Sequence, residues 1–224
     1  MEPATRAPMA FAHRGLHKSV PENTLAAFRA AVQAGVDGIE TDVQLDRNGT
    51  PILFHDTKLP GGRSVDQFTR DELSNLVGYE VPELREALDA VSGTLWNLEL
   101  KTLDAVEPAL AVMSDYTRKR QILVSSFLHP AVDAVVRRLD VRGALLVCHC
   151  PHGALLNPND LHPSIKAVVW YCETVDSSAL DWATSVNLEN LVYGFESSSD
   201  HSDFIRTNVA ALITDFPEDL MGLT

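Results

Sequence analysis

The chain has 224 residues, 45% hydrophobic and 22% charged, with a formal net charge of −13. That length suits one domain over 1–224 with a sizeable core, and no stretch reaches the ~18–20 continuous apolar residues of a membrane span, so no stable membrane anchor is expected. The acidic balance argues against nucleic acid and anionic membrane as partners, and three cysteines (Cys148, Cys150 and Cys172) fit free thiols in a reducing, cytoplasmic compartment.

The N-terminal segment before residue 9 is too short and polar for a signal peptide, and residues 9–12 read as the first strand. Asn23 is placed to cap a helix with Leu25, Phe28 and Val32 on one face and Gly35 as its stop. Residues 38–45 read as a second strand, and Asn48-Gly49 signals a hairpin into 51–54. A two-residue turn there pairs Arg47 with Thr50 and sets His55 opposite Asp42; a slip of one or two residues moves it toward Glu40. Further strands are expected at 95–100, 121–125, 143–147, 167–171, 191–195 and 211–214. Val132, Val135, Val136 and Leu139 follow helical spacing between two of them. Eight buried strands alternating with helices predict an α/β fold, a (β/α)8 TIM barrel with a short insertion after the second strand.

Barrel chemistry sits at the C-terminal strand ends, where this chain concentrates its polar groups. Glu40 and Asp42, and likewise Glu99 and Lys101, are two residues apart and share a strand face. Three carboxylates converging from adjacent strands repel one another unless a cation sits among them, and an all-oxygen donor set points to one divalent cation, Mg²⁺ or Ca²⁺. His13 and His55 flank that cluster as an acid–base pair, while Arg14 and Lys101 suit the oxygens of a phosphodiester. Cys148-His149-Cys150-Pro151-His152 lacks a second ligand pair and reads as structural, with Cys148 and Cys150 sharing a face. His129, His162 and His201 read as surface-loop residues, and Trp96, Trp170 and Trp182 as core.

The segments AHRGLHKSVPENTLAAF at 12–28, GVDGIETDVQLDRNGTPILFHDTKL at 35–59, VPELREAL at 81–88, NLELK at 97–101, VSSF at 124–127 and LITDFP at 212–217 resemble the glycerophosphodiester phosphodiesterase family. The resemblance implies the same barrel, with a cation held by Glu40, Asp42 and Glu99 and with His13 and His55 as acid and base. It also implies that Arg14 and Lys101 hold the phosphate and that Glu22 and Asn23 support the site from behind. It further implies a glycerophosphodiester substrate whose glycerol 2-hydroxyl attacks phosphorus, expelling the head-group alcohol; water then opens the cyclic phosphate to sn-glycerol 3-phosphate. Two departures stand out. Where the family has a Trp-Thr-Val-Asn-like segment, this chain has Tyr193-Gly194-Phe195-Glu196, which keeps an aromatic substrate wall in Tyr193 but changes the charge at Glu196. The stretch between His55 and Glu99 is short and carries Pro60-Gly61-Gly62-Arg63, so a smaller cover is expected. A lysophospholipase D-like phosphodiesterase and a non-catalytic phosphodiester-binding barrel are the alternatives.

Overall fold

The structure, a computed structural model, describes residues 7–149 and 157–221. Eight parallel strands close into a barrel: β1 (Met9–Ala12), β2 (Gly38–Leu45), β4 (Leu95–Leu100), β5 (Gln121–Ser126), β6 (Arg142–Val147), β7 (Ile165–Tyr171), β8 (Glu189–Tyr193) and β9 (Val209–Thr214). Their order runs β1-β9-β8-β7-β6-β5-β4-β2, and β2 pairs back onto β1. The short β3 (Pro51–Leu53) lies antiparallel on β2. Helices α1 (Leu25–Ala34), α3 (Leu84–Ala90), α4 (Val106–Met113), α5 (His129–Val136) and α6 (Ser177–Ser185) follow β1, β3, β4, β5 and β7, and α7 (Glu218–Met221) follows β9.

Strand alternation divides the apolar residues. Ala12, Ile39, Val43, Trp96, Leu98 and Val124 pack outward with helix residues such as Phe28, Leu88 and Val132. Phe11, Ala144, Leu146, Val169, Leu191 and Ile213 fill the barrel itself. Phe28 meets Trp96 edge-on at 5.3 Å. Of the three tryptophans, Trp96 and Trp170 are fully buried, whereas Trp182 is only half-buried on α6.

Several local expectations need correction. Thr24, rather than Asn23, caps α1, its side chain accepting from the Ala27 amide; Gly35 closes the helix at φ 84° as expected. The buried face of α1 is Ala27, Phe28 and Ala31, with Leu25 partly buried beside it, and Val32 falls at the edge of that stripe and faces solvent. The hairpin after β2 is one residue longer than a two-residue turn. Asp46 accepts from the Asn48 and Thr50 amides, Gly49 sits at φ 77°, and Val43 pairs with Leu53. The return chain therefore places Phe54, not His55, opposite Asp42, with the Phe54 amide donating to the Asp42 carbonyl.

The insertion runs from β3 to α3. It holds a 3-10 turn at 65–67 and α2 (Arg70–Val77), whose Thr69–Glu72 capping box satisfies its first turn. Ile52, Phe54, Val65, Phe68, Leu73 and Val81 give it a small apolar centre of its own.

Candidate active site

Strand geometry brings the carboxylates together. Asp42 is the register partner of Glu99, and Glu40 of Asn97, so β2 and β4 project Glu40, Asp42 and Glu99 into the same mouth. One oxygen from each lies within 4.8 Å of the other two. Glu40 and Asp42 are almost wholly buried. Burial, reinforced by Asp42 and Glu99, pushes the Glu40 carboxyl well above its ordinary pKa. Burial and Asp42 raise Glu99 as well. Asp42 goes the other way: burial opposes its charge, but Lys101, Arg14, His55 and the amide of Asn23 together hold it low.

Each cation is tied to these acids. Lys101 Nζ lies 2.8 Å from Glu99 Oε1 and 3.1 Å from Asp42 Oδ1. Arg14 Nη1 donates to both oxygens of Glu22 at 2.8 and 2.9 Å, and its Nε stands 3.3 Å from Asp42 Oδ2. Arg14 occupies the left-handed region at φ 53°, which aims its amide at Glu40 Oε2 (3.0 Å). Gly15 follows at φ 81°, where a Cβ would stand 2.8 Å from the Ala27 carbonyl carbon. The tight exit from β1 is thus strained for any residue but glycine.

Asn23 also adopts positive φ, at 54°. Its Nδ2 donates to Asp42 Oδ2 at 2.8 Å, and its Oδ1 accepts from Thr41 Oγ1 and the Asp42 amide. The two histidines come from different segments, one after β1 and one after β3. His13 Nε2 lies 3.9 Å from Glu40, with Nδ1 held by Asp215 at 2.8 Å. His55, its Nδ1 bonded to Asp56 at 2.8 Å, acts electrostatically on Asp42 and Glu99. Tyr193 completes the mouth beside Glu99, its phenol pKa raised by burial and by neighbouring negative groups.

Three neighbours were given no role by the sequence reading, although Asp215 stands among the polar groups it places at the strand ends. Asp215 Oδ1 bridges His13 Nδ1 and His17 Nε2, the latter at 3.0 Å. Its place directly after the last strand was the available signal; His17 offered none. Tyr79, from the insertion, lies within electrostatic reach of Glu22 and Asp56, so the short cover does reach the mouth. His201, expected on the surface, is buried. The 3-10 turn at 198–203 turns it inward, where Nε2 pairs with Thr214 Oγ1 at 2.9 Å and the ring meets Phe195 edge-on. His129, half-buried, opens α5 rather than lying in a loop and bonds the Leu146 carbonyl; His162 stands in a loop as expected, half-buried, with Nδ1 accepting from the Ser164 amide. Cys148 is exposed; Cys150 and His152 lie outside the described residues.

The donor set fits a hard divalent cation. It is all carboxylate, and Glu40 Oε1 is buried without a hydrogen-bond partner among the described residues, an acceptor open to a ligand.

A sequence model of the glycerophosphoryl diester phosphodiesterase family matches residues 13–219. The chain belongs to that family. It is an enzyme of the glycerophosphodiester phosphodiesterase class. A glycerophosphodiester phosphodiesterase of Caldanaerobacter subterraneus is 28% identical over 246 aligned residues, covering 96% of this chain and 97% of that protein. One from Bacillus altitudinis is 29% identical, covering 93% of this chain and 94% of its own. Among solved structures, a phosphodiesterase of Oleispira antarctica in complex with sn-glycerol-3-phosphate superposes with a TM-score of 0.84 at 22% identity, over 96% of each chain. The Thermotoga maritima glycerophosphodiester phosphodiesterase gives 0.80 at 23% identity, over 98% of this chain and 99% of that one. These structural likenesses establish the barrel.

Proposed function

We propose that this phosphodiesterase cleaves glycerophosphodiesters to sn-glycerol 3-phosphate and an alcohol through a cyclic phosphate, with His13 and His55 as the proton-transferring pair. The observation that carries the reading is the convergence of Glu40, Asp42 and Glu99, with His13 3.9 Å from Glu40 and His55 within electrostatic reach of Asp42 and Glu99. Glu40, Asp42 and Glu99 would hold one Mg²⁺ or Ca²⁺, which when bound supplies Lewis-acid polarisation of the phosphoryl group and of the attacking hydroxyl.

The chain's own residues do the rest. Asp215 fixes the His13 tautomer, so Nε2 is the atom presented to the substrate; Asp56 does the same for His55. An in-line displacement needs a base and an acid on opposite sides of phosphorus; in this reading His13, 3.9 Å from Glu40, is one and His55, within electrostatic reach of Asp42 and Glu99, is the other. One imidazole takes the proton of the glycerol 2-hydroxyl, and the other gives a proton to the leaving oxygen. In the second half their roles reverse as water opens the ring. Arg14 and Lys101 attract the non-bridging oxygens, Lys101 as a point charge and Arg14, whose Nη1 and Nε are turned to Glu22 and Asp42, through its remaining Nη2. Glu22 and Asn23 anchor Arg14 and Asp42. The free thiols of Cys148 and Cys172 suit a cytoplasmic setting, and among the described residues no helix is long and apolar enough to cross a membrane.

A lysophospholipid substrate is the second reading. Exposed Leu103, Phe127 and Leu128, on the loops after β4 and β5, favour it. Assays of glycerophosphocholine, glycerophosphoethanolamine and lysophosphatidylcholine, with Mg²⁺ or Ca²⁺ and with chelator, test both. Turnover of a water-soluble diester, lost on chelation and reduced about 10²–10⁴-fold in His13→Ala and His55→Ala, is the expected result. No turnover of any diester with metal present would refute the function, and activity surviving both histidine changes would refute the chemistry.

A further inference from the structure

We propose that the barrel mouth carries a subsite selective for cationic head groups, quaternary or primary ammonium alcohols, built from Tyr171, Tyr193 and Phe127 with Glu173 and Glu196 at its outer end. It rests on the phosphodiesterase reading above and names the substrate class of that site.

The charged half of the mouth belongs to β1, β2 and β4, which carry His13, Glu40, Asp42, Glu99 and Lys101. Both reacting oxygens lie on that side, within reach of His13 and His55, and the head group beyond the leaving oxygen has the opposite wall, β5, β7 and β8, to lie against. There the character changes. Tyr171 and Tyr193 are register partners at the ends of β7 and β8, with ring centroids 5.4 Å apart and planes 44° apart. Phe127, just after β5 and 43% exposed, meets Tyr193 at 6.0 Å and 72°. The result is a folded strip of three rings that starts beside Glu99. Gly194 makes room for it: a Cβ there would stand 2.4 Å from Tyr171 Cε2.

Beyond the rings the charge is negative. The Tyr171 phenol lies in the field of Glu173 and Glu196, which together with burial raise its pKa. Glu173 and Glu196 also line a cavity of about 330 Å³ with Asp200 and Asp203, and among the described residues no basic side chain lines it. Aromatic faces backed by carboxylates attract ammonium groups and offer nothing to an anion. Net charge points the same way. A diester with a neutral head group arrives as an anion at a protein of −13, whereas an ammonium head group cancels the phosphate charge.

The test compares kcat/KM for glycerophosphocholine, glycerophosphoethanolamine, glycerophosphoglycerol and lysophosphatidylcholine in the wild type, Tyr171→Leu, Tyr171→Phe and Glu196→Gln. The expected wild-type preference for choline over glycerol as head group is about tenfold. Tyr171→Leu brings that ratio toward one, mainly through KM of the choline substrate, and Tyr171→Phe retains it. Glu196→Gln, at an exposed position, lowers the ratio about twofold and serves if Tyr171→Leu does not fold. The same dependence on lysophosphatidylcholine supports the subsite and identifies a lysolipid as one source of the choline; its restriction to glycerophosphocholine supports it with the soluble diester as the source. A wild-type ratio near one, or equal losses on choline and glycerol substrates in Tyr171→Leu, overturns the subsite while leaving the phosphodiesterase reading intact. Absence of all turnover in the wild type would instead bring down the phosphodiesterase reading and the subsite with it.

Discussion

Asn23→Ala is the sharpest probe of how the site is held. Asn23 is 1% exposed and makes three side-chain hydrogen bonds, to the Asp42 carboxylate, to Thr41 Oγ1 and to the Asp42 amide, at 2.8, 2.6 and 3.3 Å. A bond to a charged group contributes about 1.5–3 kcal/mol and each neutral one about 1 kcal/mol, because buried partners left behind keep their desolvation penalty. Alanine at φ 54° costs roughly a further 1 kcal/mol relative to asparagine. The sum is about 4–6 kcal/mol, a large share of the ~5–15 kcal/mol of a typical fold. Urea unfolding of the metal-free protein, followed by tryptophan fluorescence, measures it. Thr41→Val, which removes only one donor, should cost about 1 kcal/mol. Binding isotherms for Mg²⁺ or Ca²⁺ should show Asn23→Ala weakened about 10–100-fold, because Asp42 loses its orientation. A loss below about 1 kcal/mol with unchanged metal affinity would refute the claim that Asn23 positions Asp42.

Further outcomes follow from the same geometry. Burial opposes the charge of Asp215, but hydrogen bonds from His13 and His17 hold its pKa far below the usual carboxylate range. Such a carboxyl stabilises the fold above its unfolded pKa of ~3.9 and loses that contribution as pH falls through the folded value. His17, raised chiefly by the bond to Asp215, contributes fully below ~6.5 and loses its share as pH rises through its folded pKa. Thermal midpoints of Asp215→Asn should therefore fall less steeply than wild type below about pH 4 and again above about pH 6.5; parallel curves would contradict the pairing. Gly15→Ala should lower the thermal midpoint by at least ~4 °C, since it combines ~1–2 kcal/mol of left-handed strain with a 2.8 Å backbone clash. Gly49→Ala, equally left-handed but in open space, should lower it less. Added Mg²⁺ or Ca²⁺ should raise the wild-type midpoint in proportion to the logarithm of its concentration, and Glu99→Gln should abolish most of that rise.

The barrel was legible because buried parallel strands read as continuous apolar runs. Residues 9–12, 38–45 and 95–100 form strands with the bounds their composition predicts. What the sequence concealed depends on contacts between distant residues or on competition among local ones. Pro21-Glu22-Asn23-Thr24 offers two helix caps, and the long-range bond to Asp42 decides between them by drawing Asn23 away. Asn48-Gly49 signals a tight turn, but Asp46 gathers two amides and lengthens the loop by one residue. Asp215 meets His13 across 202 positions of sequence, a pairing that no local pattern encodes. By contrast, the carboxylate cluster was visible from spacing alone, because Glu40 and Asp42 on one strand and Glu99 on the next need only the two-residue strand repeat and a parallel register to meet.

The central claim is that Glu40, Asp42 and Glu99 together hold one divalent cation at the mouth of the barrel. Anomalous scattering from a crystal equilibrated with Mn²⁺ as a stand-in for Mg²⁺ tests it most directly. The account predicts a single strong peak at the mouth, coordinated by oxygens of all three carboxylates. Loss of the peak in Glu40→Gln crystals would confirm the assignment. No peak at full Mn²⁺ saturation, or a peak bound elsewhere with Lys101 still bridging Asp42 and Glu99, would contradict it.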